Sequence, residues 1–382
     1  MNVRHADAQT LAAALQAGRR DTLATFAACT AALAQASVPQ RDTLNPPLWE
    51  LGHIGWFQEF WIARNPQRAL GSAADPDAPR GPGVRANADA LYDSARVPHA
   101  TRWALPLPDA ADTQDDLARQ LEATLGLLKG DEALYFFRLA LLHEDMHHEA
   151  ALYMAQVLGL RIDDEDRRWR ATPSSGTRSA LPFDAGPWTL GSSAAEGFAF
   201  DNELPAHPVD LPAFEIDSRV VRWAEYLPFV EATGRAPPRY LRRAAAGSGW
   251  QQQRYGQWIP LEQDLPACHL SAAEAESWCL WAGRRLPSEA EWERAALEQP
   301  DRFGWGEVWE WTASAFQPYP GFMAHPYRDY SEPWFGGSRR VLRGASFMTQ
   351  PRLRDPRYRN FFMPDRSDVP AGFRSCAAQR PR

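Results

Sequence analysis

Residues 143–150 read HEDMHHEA, and this stretch bears on both the fold and the function of the chain. His143 and His147 are four residues apart, so on a helix they lie one turn apart on the same face. Phe136 and Ala140 share that face, which is otherwise apolar. We therefore expect the two histidines to point into the core of a helical domain.

A third histidine lies in a similar setting on an earlier helix. His53 belongs to LWELGHIGWFQEFW (residues 48–61) and has aromatic residues at i−4, i+3 and i+4. A single inward histidine is more often a hydrogen-bonded core residue, but three on two helices can converge, and a metal ion would satisfy all of them. His148 is not expected to be a ligand, because it lies roughly 100° around the helix from His147.

The same stretch contains HExxH, the signature of zinc metalloproteases, in which Glu144 would be the base. That interpretation requires a sheet beside the motif helix, and the first half of the chain shows no convincing strand. Three neutral histidines leave open positions on a metal, which suits zinc hydrolysis or non-haem iron and O2 chemistry. The type of ligand alone does not decide between zinc hydrolysis and iron chemistry. A metal-binding scaffold without catalytic activity is a third possibility.

The two halves of the chain differ in pattern. Four segments before about residue 160 have helical periodicity, and a Pro-, Gly- and Asp-rich stretch from about residue 65 to 110 separates the second from the third. These segments are residues 6–36, 46–65, 112–130 and 131–160. One long connection between four helices predicts a helix bundle.

From about residue 170 the segments become short and rich in Gly, Pro and Trp, which predicts an α+β or irregular β-rich domain. Three helices are expected there, around residues 222–234, 271–283 and 287–296.

Bulk composition excludes several classes of protein. The net charge of −7 argues against nucleic-acid binding, and no apolar run approaches the roughly 20 residues of a membrane span. The N-terminal residues lack the apolar core of a signal peptide, so a cytoplasmic location is expected.

The four cysteines form no CxxC pair, and the oligomeric state is not predicted. The 16 tryptophans include candidates for an aromatic pocket for a quaternary ammonium group.

Both halves of the chain resemble known domains. Five stretches of the second half resemble the formylglycine-generating-enzyme-like domain, a compact α+β fold related to C-type lectins. They are residues 188–221, 278–296, 305–322, 340–347 and 371–376. PPLWELGHIGWFQEFW and LLHEDMHHEAALYM resemble the DinB-like iron-binding bundle of the ergothioneine sulfoxide synthases. The resemblance implies a DinB-like four-helix bundle over residues 1–170, a linker over 171–180 and a formylglycine-generating-enzyme-like domain over 181–382.

The resemblance also implies an activity. Members of this family join a chalcogen donor to C2 of the imidazole of hercynine (trimethylhistidine), using Fe(II) and O2. Carried over by motif, the iron ligands are His53, His143 and His147, the same residues that helix periodicity selects. The expected partners are small molecules, and the site is expected between the two domains. The four cysteines supply no obvious catalytic pair of the kind that the formylglycine-generating enzyme uses.

Several departures from the family pattern concern the donor. The segment RNFFMPDRSDVPAGFR (residues 359–374) keeps Asn360 as a hercynine contact, but Phe361 and Phe362 replace the family's Trp-Asp, and the lost Asp would have contacted an amino group of a thiol donor. His148 replaces a family Gln. Arg96 and Arg102 remain from an arginine-rich donor loop whose spacing is altered.

These departures, and the resemblance of the two histidine segments to the selenoneine synthase branch, predict a selenosugar donor and a C–Se bond. Sequence drift in a sulfur enzyme that uses a thiol donor is the alternative, and an HExxH zinc hydrolase is a further one.

The family's catalytic tyrosine corresponds to the loop GFMAHPYRDYSEPWFGG (residues 321–337). Tyr327 and Tyr330 are the candidates, although the alignment also allows Met323 or His325 at this position. Both tyrosines are equally compatible with a packing role in the loop.

Overall fold

A computed structural model describes residues 3–33, 37–130, 133–162, 171–173, 176–245 and 249–378. The chain divides into two units. The helical unit comprises residues 1–168 together with 325–329 and 350–353, and the α+β unit comprises 169–324, 330–349 and 354–382. The predicted domain end at residue 170 and part of the predicted linker fall on 163–170, 174 and 175, which lie outside the described residues.

The described helices of the helical unit are α1 (Ala8–Ala32), α2 (Pro47–Trp61), α3 (Ala88–Tyr92), α4 (Ala110–Leu128) and α5 (Tyr135–Leu158). Their ends follow local chemistry. The Asp7 side chain accepts from Thr10 N at the start of α1, and Gly159 ends α5 with a φ of 66°. The stretch predicted as long loops contains the short helix α3 and 3-10 turns at 68–73 and 99–101.

Helix α5 packs against α1 and α2 and is buried on nearly every side. Glu144 and Asp145, which the sequence places away from the apolar face, are buried as well. Each is compensated by an arginine, because Arg19 Nε donates to Glu144 at 2.9 Å and Arg352 Nη2 to Asp145 at 2.6 Å. Polarity therefore does not mark the exposed side of this helix.

Two glycines let α2 approach its neighbours. A Cβ at Gly52 would lie 2.3 Å from the ring of Tyr92, and one at Gly55 would lie 2.2 Å from Gln120 Oε1. Glycine at both positions lets Tyr92 and α4 pack directly on the α2 backbone.

The α+β unit contains three helices and thirteen short strands among its described residues. The helices are α6 (Trp223–Thr233), α7 (Ala272–Trp281) and α8 (Glu289–Glu298). The strands are β1 (Ala180–Phe183), β2 (Gly186–Leu190), β3 (His207–Leu211), β4 (Phe214–Asp217), β5 (Leu241–Arg243), β6 (Trp250–Arg254), β7 (Gln257–Pro260), β8 (Arg284–Arg285), β9 (Trp309–Ala315), β10 (Arg340–Gly344), β11 (Asn360–Phe362), β12 (Ala371–Gly372) and β13 (Cys376–Ala377).

Four small sheets organise these strands, in the orders β1-β4-β13-β8, β11-β10-β9-β12, β2-β3 and β5-β6-β7. Helices α7 and α8 begin with capping boxes at Ser271 and Ser288. The core behind α8 includes Trp292 and Phe303, and buried ion pairs such as Arg374–Glu310 cross it. The α+β class and the three helices predicted for this half are confirmed.

No helix among the described residues is both long and apolar enough to cross a membrane. All four cysteines are buried and free. Burial raises the pKa of Cys268 and Cys279 to about 12, so these thiols stay protonated and unreactive near neutral pH.

Candidate metal centre

Three histidines of the helical unit meet at one point. His53 comes from α2, and His143 and His147 come from successive turns of α5. One ring nitrogen from each lies within 4.8 Å of the others. The structure thus brings together the three residues that periodicity selects.

The second nitrogen of His53 is held by the backbone. Its Nδ1 donates to the carbonyl oxygen of Tyr92 at 2.8 Å, and its ring stacks on Trp49 with a centroid distance of 4.8 Å. This bond fixes the tautomer and leaves Nε2 as an acceptor, the arrangement found in metal-bound histidines. The close approach of Tyr92 depends on Gly52.

A buried carboxylate orients His147 in the same way. His147 Nδ1 donates to Glu50 Oε2 in a short contact, and Asn45 Nδ2 donates to the other carboxylate oxygen at 2.5 Å. Burial alone would raise the pKa of Glu50, but His147 and the hydrogen bonds lower it, so this group stays a carboxylate.

The electrostatics of the cluster fit a cation. Burial, together with the nearby His147, lowers the pKa of His53 to about 3 and that of His143 well below its ordinary value. These two rings are therefore neutral. The Nε2 atoms of His143 and His147 face each other at 3.2 Å, where two lone pairs repel unless a proton or a metal ion lies between them. Three imidazole nitrogens with two of the rings anchored through Nδ1 suit a divalent transition metal.

Aromatic rings close one side of the centre. Phe57 stacks on His143 with centroids 3.6 Å apart, and the ring of Tyr327 lies edge-on to His143 at 5.9 Å. Tyr327 belongs to the 325–329 segment of the helical unit, so it lies beside the histidines. In the same segment His325 Nδ1 contacts Tyr135 Oη at 2.9 Å.

The arrangement does not match that of an HExxH hydrolase. Glu144, which would be the base, is held by the guanidinium of Arg19, which also donates to Gln58 Oε1 at 2.8 Å. Both oxygens of this carboxylate accept from Arg19, so Glu144 is placed as the partner of a buried cation and not as a base for metal-bound water.

A cavity of about 250 Å³ adjoins the aromatic side of the centre. It lies within the helical unit, and both Phe57 and Tyr327 line it. The other lining residues are Trp56, Phe60, Trp61, Pro76, Asp77, Asp93, Ser94, Ala95, Arg96, Pro326, Arg328 and Asp329. We call this space the aromatic–aspartate cavity.

Both arginines of the aromatic–aspartate cavity are paired with aspartates. Arg96 Nε lies 3.3 Å from Asp93 Oδ2, and Arg328 Nη2 lies 2.8 Å from Asp77 Oδ1. Asp329 is the third carboxylate, so three acidic groups face two basic ones. Burial raises the pKa of Asp93 above its ordinary value.

Two other predicted contact residues lie elsewhere in the helical unit. Arg102 lies over the ring of Trp49 at 3.8 Å and donates to Asn45 Oδ1 at 2.9 Å. His148 is buried, and its Nδ1 lies 3.4 Å from Gln350 Nε2. Neither lines the aromatic–aspartate cavity.

The remaining predicted residues lie in the α+β unit. Asn360, Phe361 and Phe362 form β11, where Phe361 stacks on Phe316 at 3.9 Å. Asn360 Oδ1 accepts from the backbone N–H of Phe361 at 2.9 Å, and Phe362 lies under the Arg366 guanidinium.

Tyr330 also belongs to the α+β unit. Its hydroxyl bonds that of Tyr358 at 2.8 Å, and its ring packs on Phe200. Of the two candidate tyrosines, Tyr327 is the one placed beside the histidines.

Sequence reasoning missed Glu50 and Tyr92. A signal for Glu50 was present, because a glutamate three residues before His53 on an aromatic helix needs a buried partner. Tyr92 acts through its backbone carbonyl, which no side-chain pattern reveals.

Comparisons with known proteins agree with this architecture. Residues 14–154 match the DinB superfamily, and residues 171–307 and 304–379 match the sulfatase-modifying factor enzyme 1-like domain. Hercynine oxygenase of Mycobacterium tuberculosis is 32% identical over 411 residues, which cover 88% of this chain and 92% of that protein. Hercynine oxygenase of Mycolicibacterium smegmatis is 32% identical over 404 residues, covering 87% and 90%. Ergothioneine biosynthesis protein 1 of Schizosaccharomyces pombe is 26% identical over 200 residues, covering 43% of this chain and 26% of that protein.

A DinB-type helical unit with three converging histidines, followed by a formylglycine-generating-enzyme-like unit, defines a class of oxidative enzymes. Within that class, the chain belongs to the hercynine oxygenase family.

Proposed function

We propose that the protein is an Fe(II)- and O2-dependent synthase that joins C2 of the hercynine imidazole to a selenosugar through a C–Se bond. The lining of the aromatic–aspartate cavity beside the three histidines is the observation that carries the choice of donor. The relatives named hercynine oxygenase support the choice of hercynine.

The proposed iron ligands are the Nε2 atoms of His53, His143 and His147. Iron, when bound, supplies the activation of O2. The chain holds two of these ligands in position through the Tyr92 carbonyl and the Glu50 carboxylate. Three protein ligands leave positions open for small molecules.

The donor assignment rests on charge and shape. A thiol amino acid carries a carboxylate, whereas three aspartates of the lining outnumber its two arginines, Arg96 and Arg328, so the net negative charge of the cavity disfavours an anionic donor. A sugar carries hydroxyl groups, which donate well to carboxylates, and apolar faces, which pack on rings such as Trp56 and Phe60. This lining favours an uncharged polyhydroxyl donor.

The proposed reaction balances with one O2. The C2–H and Se–H bonds are replaced by one C–Se bond, and selenium is oxidised to a selenoxide. One oxygen atom enters the selenoxide and the other leaves as water. Tyr327 is the proposed proton donor, because its ring lies beside His143 and lines the aromatic–aspartate cavity. Tyr330 as a catalytic residue remains a prediction, as do substrate contacts from Asn360, Phe361, Phe362, Arg96, Arg102 and His148.

The test is a competition between donors. Purified protein loaded with Fe(II) is given hercynine, O2 and an equal mixture of a selenosugar, γ-glutamylcysteine and cysteine, and products are identified by mass spectrometry. We expect a hercynine adduct with the selenium isotope pattern as the main product. A sulfoxide adduct alone would identify a sulfur enzyme with a thiol donor.

A substitution at Phe362 tests the choice between a selenosugar and a thiol donor. Phe362→Asp restores the acidic residue of the thiol-using relatives, and we expect it to increase the share of thiol product. Phe335→Asp, at another half-buried phenylalanine of the α+β unit, is the control and should leave the product ratio unchanged. Zinc-supported turnover without O2 would instead support a hydrolase.

A further inference from the structure

A second cavity adjoins the histidine centre on the side of His147 and Glu50. It lies between α1, α2 and α5, with a volume of about 50 Å³, and it is partly open to solvent. His147 and Glu50 form part of its wall, whereas neither lines the aromatic–aspartate cavity. We refer to it as the apolar cavity.

The wall of the apolar cavity is mostly carbon. Its apolar lining residues are Phe26, Cys29, Val38, Pro47, Leu51, Ile54, Ala151, Met154, Ala155, Leu158 and Leu160. The polar lining residues are Thr22, Thr25, Asn45, Glu50, His147 and His148. Glu50 bonds both His147 and Asn45, and the Thr22 hydroxyl oxygen is almost inaccessible, so little polar surface faces the space. Such a space offers water few partners, which favours a small apolar gas over water.

The size of the apolar cavity restricts its ligand. About 10–15 Å³ of such volume holds one water molecule, so about 50 Å³ admits roughly two diatomic molecules. Hercynine and a sugar are too large and too polar for it. Small apolar gases fit both limits.

We infer that the apolar cavity binds molecular oxygen and delivers it to the centre past His147. The inference rests on the proposed function for its use of O2, but binding of the gas does not depend on turnover. His147 is the one of the three histidines that lines the cavity, which places the end of this route at a proposed metal ligand. Delivery from this side leaves the aromatic–aspartate cavity to the polar substrates.

Gas binding is measured first, on the full-length protein purified without metal. Methyl NMR spectra are recorded under N2 and under O2, because paramagnetic O2 speeds the relaxation of nearby protons. We expect O2 to increase relaxation at Leu51, Ile54 and Met154 at least about threefold more than at Leu181, which is equally buried in the α+β unit. Xenon should shift the same cavity methyl signals.

Cavity-filling variants test delivery. Ala151→Leu and Ala155→Val add carbon to the wall from α5, and Ala28→Leu, on α1 but outside the lining, is the matched control. We expect the KM for O2 to rise about fivefold or more in the two variants, with kcat at saturating O2 and the KM for hercynine unchanged. Circular dichroism verifies that each variant is folded.

The outcomes separate the two proposals. Equal relaxation at the cavity methyl groups and Leu181 would overturn gas binding, whatever the activity. Gas binding with a KM for O2 equal to that of Ala28→Leu would overturn delivery. A wild-type protein that binds O2 in the cavity yet converts no hercynine would contradict the proposed function and leave the cavity assignment supported.

Discussion

At the scale of single residues, the three histidines depend on partners outside the cluster. Glu50 holds His147 through Nδ1, and Asn45 supports Glu50. A carboxylate in this position fixes the ring orientation and makes the opposite ring nitrogen more basic. Glu50 is therefore a positioning residue.

Replacing Glu50 with Gln should weaken metal binding without unfolding the protein. We expect the affinity for Fe(II), or for Co(II) as a spectroscopic substitute, to fall about 10–100-fold, because the amide is uncharged and cannot raise the basicity of the ligand nitrogen to the same extent. Isothermal titration under anaerobic conditions measures this loss. His147→Ala should lose binding altogether.

Glu59→Gln is the matched control for the Glu50 substitution. Glu59 is a buried glutamate on the same helix, but it accepts from Val84 N and Gln120 Nε2 rather than from a histidine. Equal losses in the two variants would mean that Glu50 acts only through the stability of α2.

The convergence of the three histidines was predictable from sequence, whereas the groups that hold their rings in place were not. The i, i+4 spacing of His143 and His147 and the aromatic setting of His53 are local patterns, and they selected the three residues that converge. The Tyr92 carbonyl and the Tyr327 ring come from distant parts of the chain, so no local periodicity encodes their approach.

At the scale of elements, α2 is built for close contact. Gly52 lies against the Tyr92 ring, and the carbonyl of the same Tyr92 holds His53. Helix packing and the orientation of the His53 ring are therefore coupled at one glycine.

Gly52→Ala should destabilise the protein, although alanine is ordinarily the better helix former. The added methyl group would overlap the Tyr92 ring, and we expect a loss of about 1–3 kcal/mol in the free energy of unfolding, together with weaker metal binding. Urea unfolding measures the loss.

Gly126→Ala is the control, and it is expected to raise the free energy of unfolding instead of lowering it. Gly126 lies on α4, and a Cβ added there would meet no atom within 4 Å, so alanine should stabilise the protein by about 0.5–1 kcal/mol. Changes of the same sign in the two variants would show that backbone propensity, rather than contact with Tyr92, decides the effect.

The positions of the helices were predictable from the sequence, whereas the residues that surround each helix were less so. Periodicity indicated α1, α2, α4 and α5, but the face of α5 that carries Glu144 and Asp145 was not recognised as buried. Arg19 and Arg352 compensate those charges, and a compensating residue distant in sequence is invisible in a helical pattern.

At the scale of the whole molecule, acid should weaken the fold through buried histidines. His269 in the α+β unit is buried, and its pKa is lowered to about 4, mainly by desolvation, while Asp368 raises it and Arg239 lowers it. An unfolded histidine has a pKa of about 6.5. Between these values the unfolded chain takes up a proton that the native state does not.

The free energy of unfolding should therefore decrease by about 3 kcal/mol through His269 as the pH falls from about 6.5 to about 4. Above about pH 6.5 the contribution of His269 to the free energy of unfolding is fully present. Urea unfolding at half-unit pH steps measures the slope. His269→Asn, which tolerates the φ of 60° at this position, should flatten it.

Tyr240→Phe is the control, because it removes the hydroxyl group from the ring that contacts His269 and leaves the imidazole in place. Its stability should fall with pH as steeply as that of the wild type. An equally steep decline in His269→Asn would assign the acid sensitivity to other groups.

The division of the molecule into two classes of structure was predictable, because the change from long helical periodicity to short Gly- and Trp-rich segments is a property of the sequence itself. The assignment of residues 325–329 and 350–353 to the helical unit was not, since those segments lie far beyond the change in pattern.

Because residues 325–329 and 350–353 belong to the helical unit, the first half of the sequence cannot form that unit by itself. A gene cut between the halves would leave the first product without Tyr327 beside His143 and without Arg352, the partner of the buried Asp145. Recombination that exchanged the first half for a foreign counterpart would have to preserve the fit of residues 325–329 and 350–353, which the second half of the sequence supplies. The two halves are therefore expected to be transmitted, duplicated and lost together, although each has the outward form of a module.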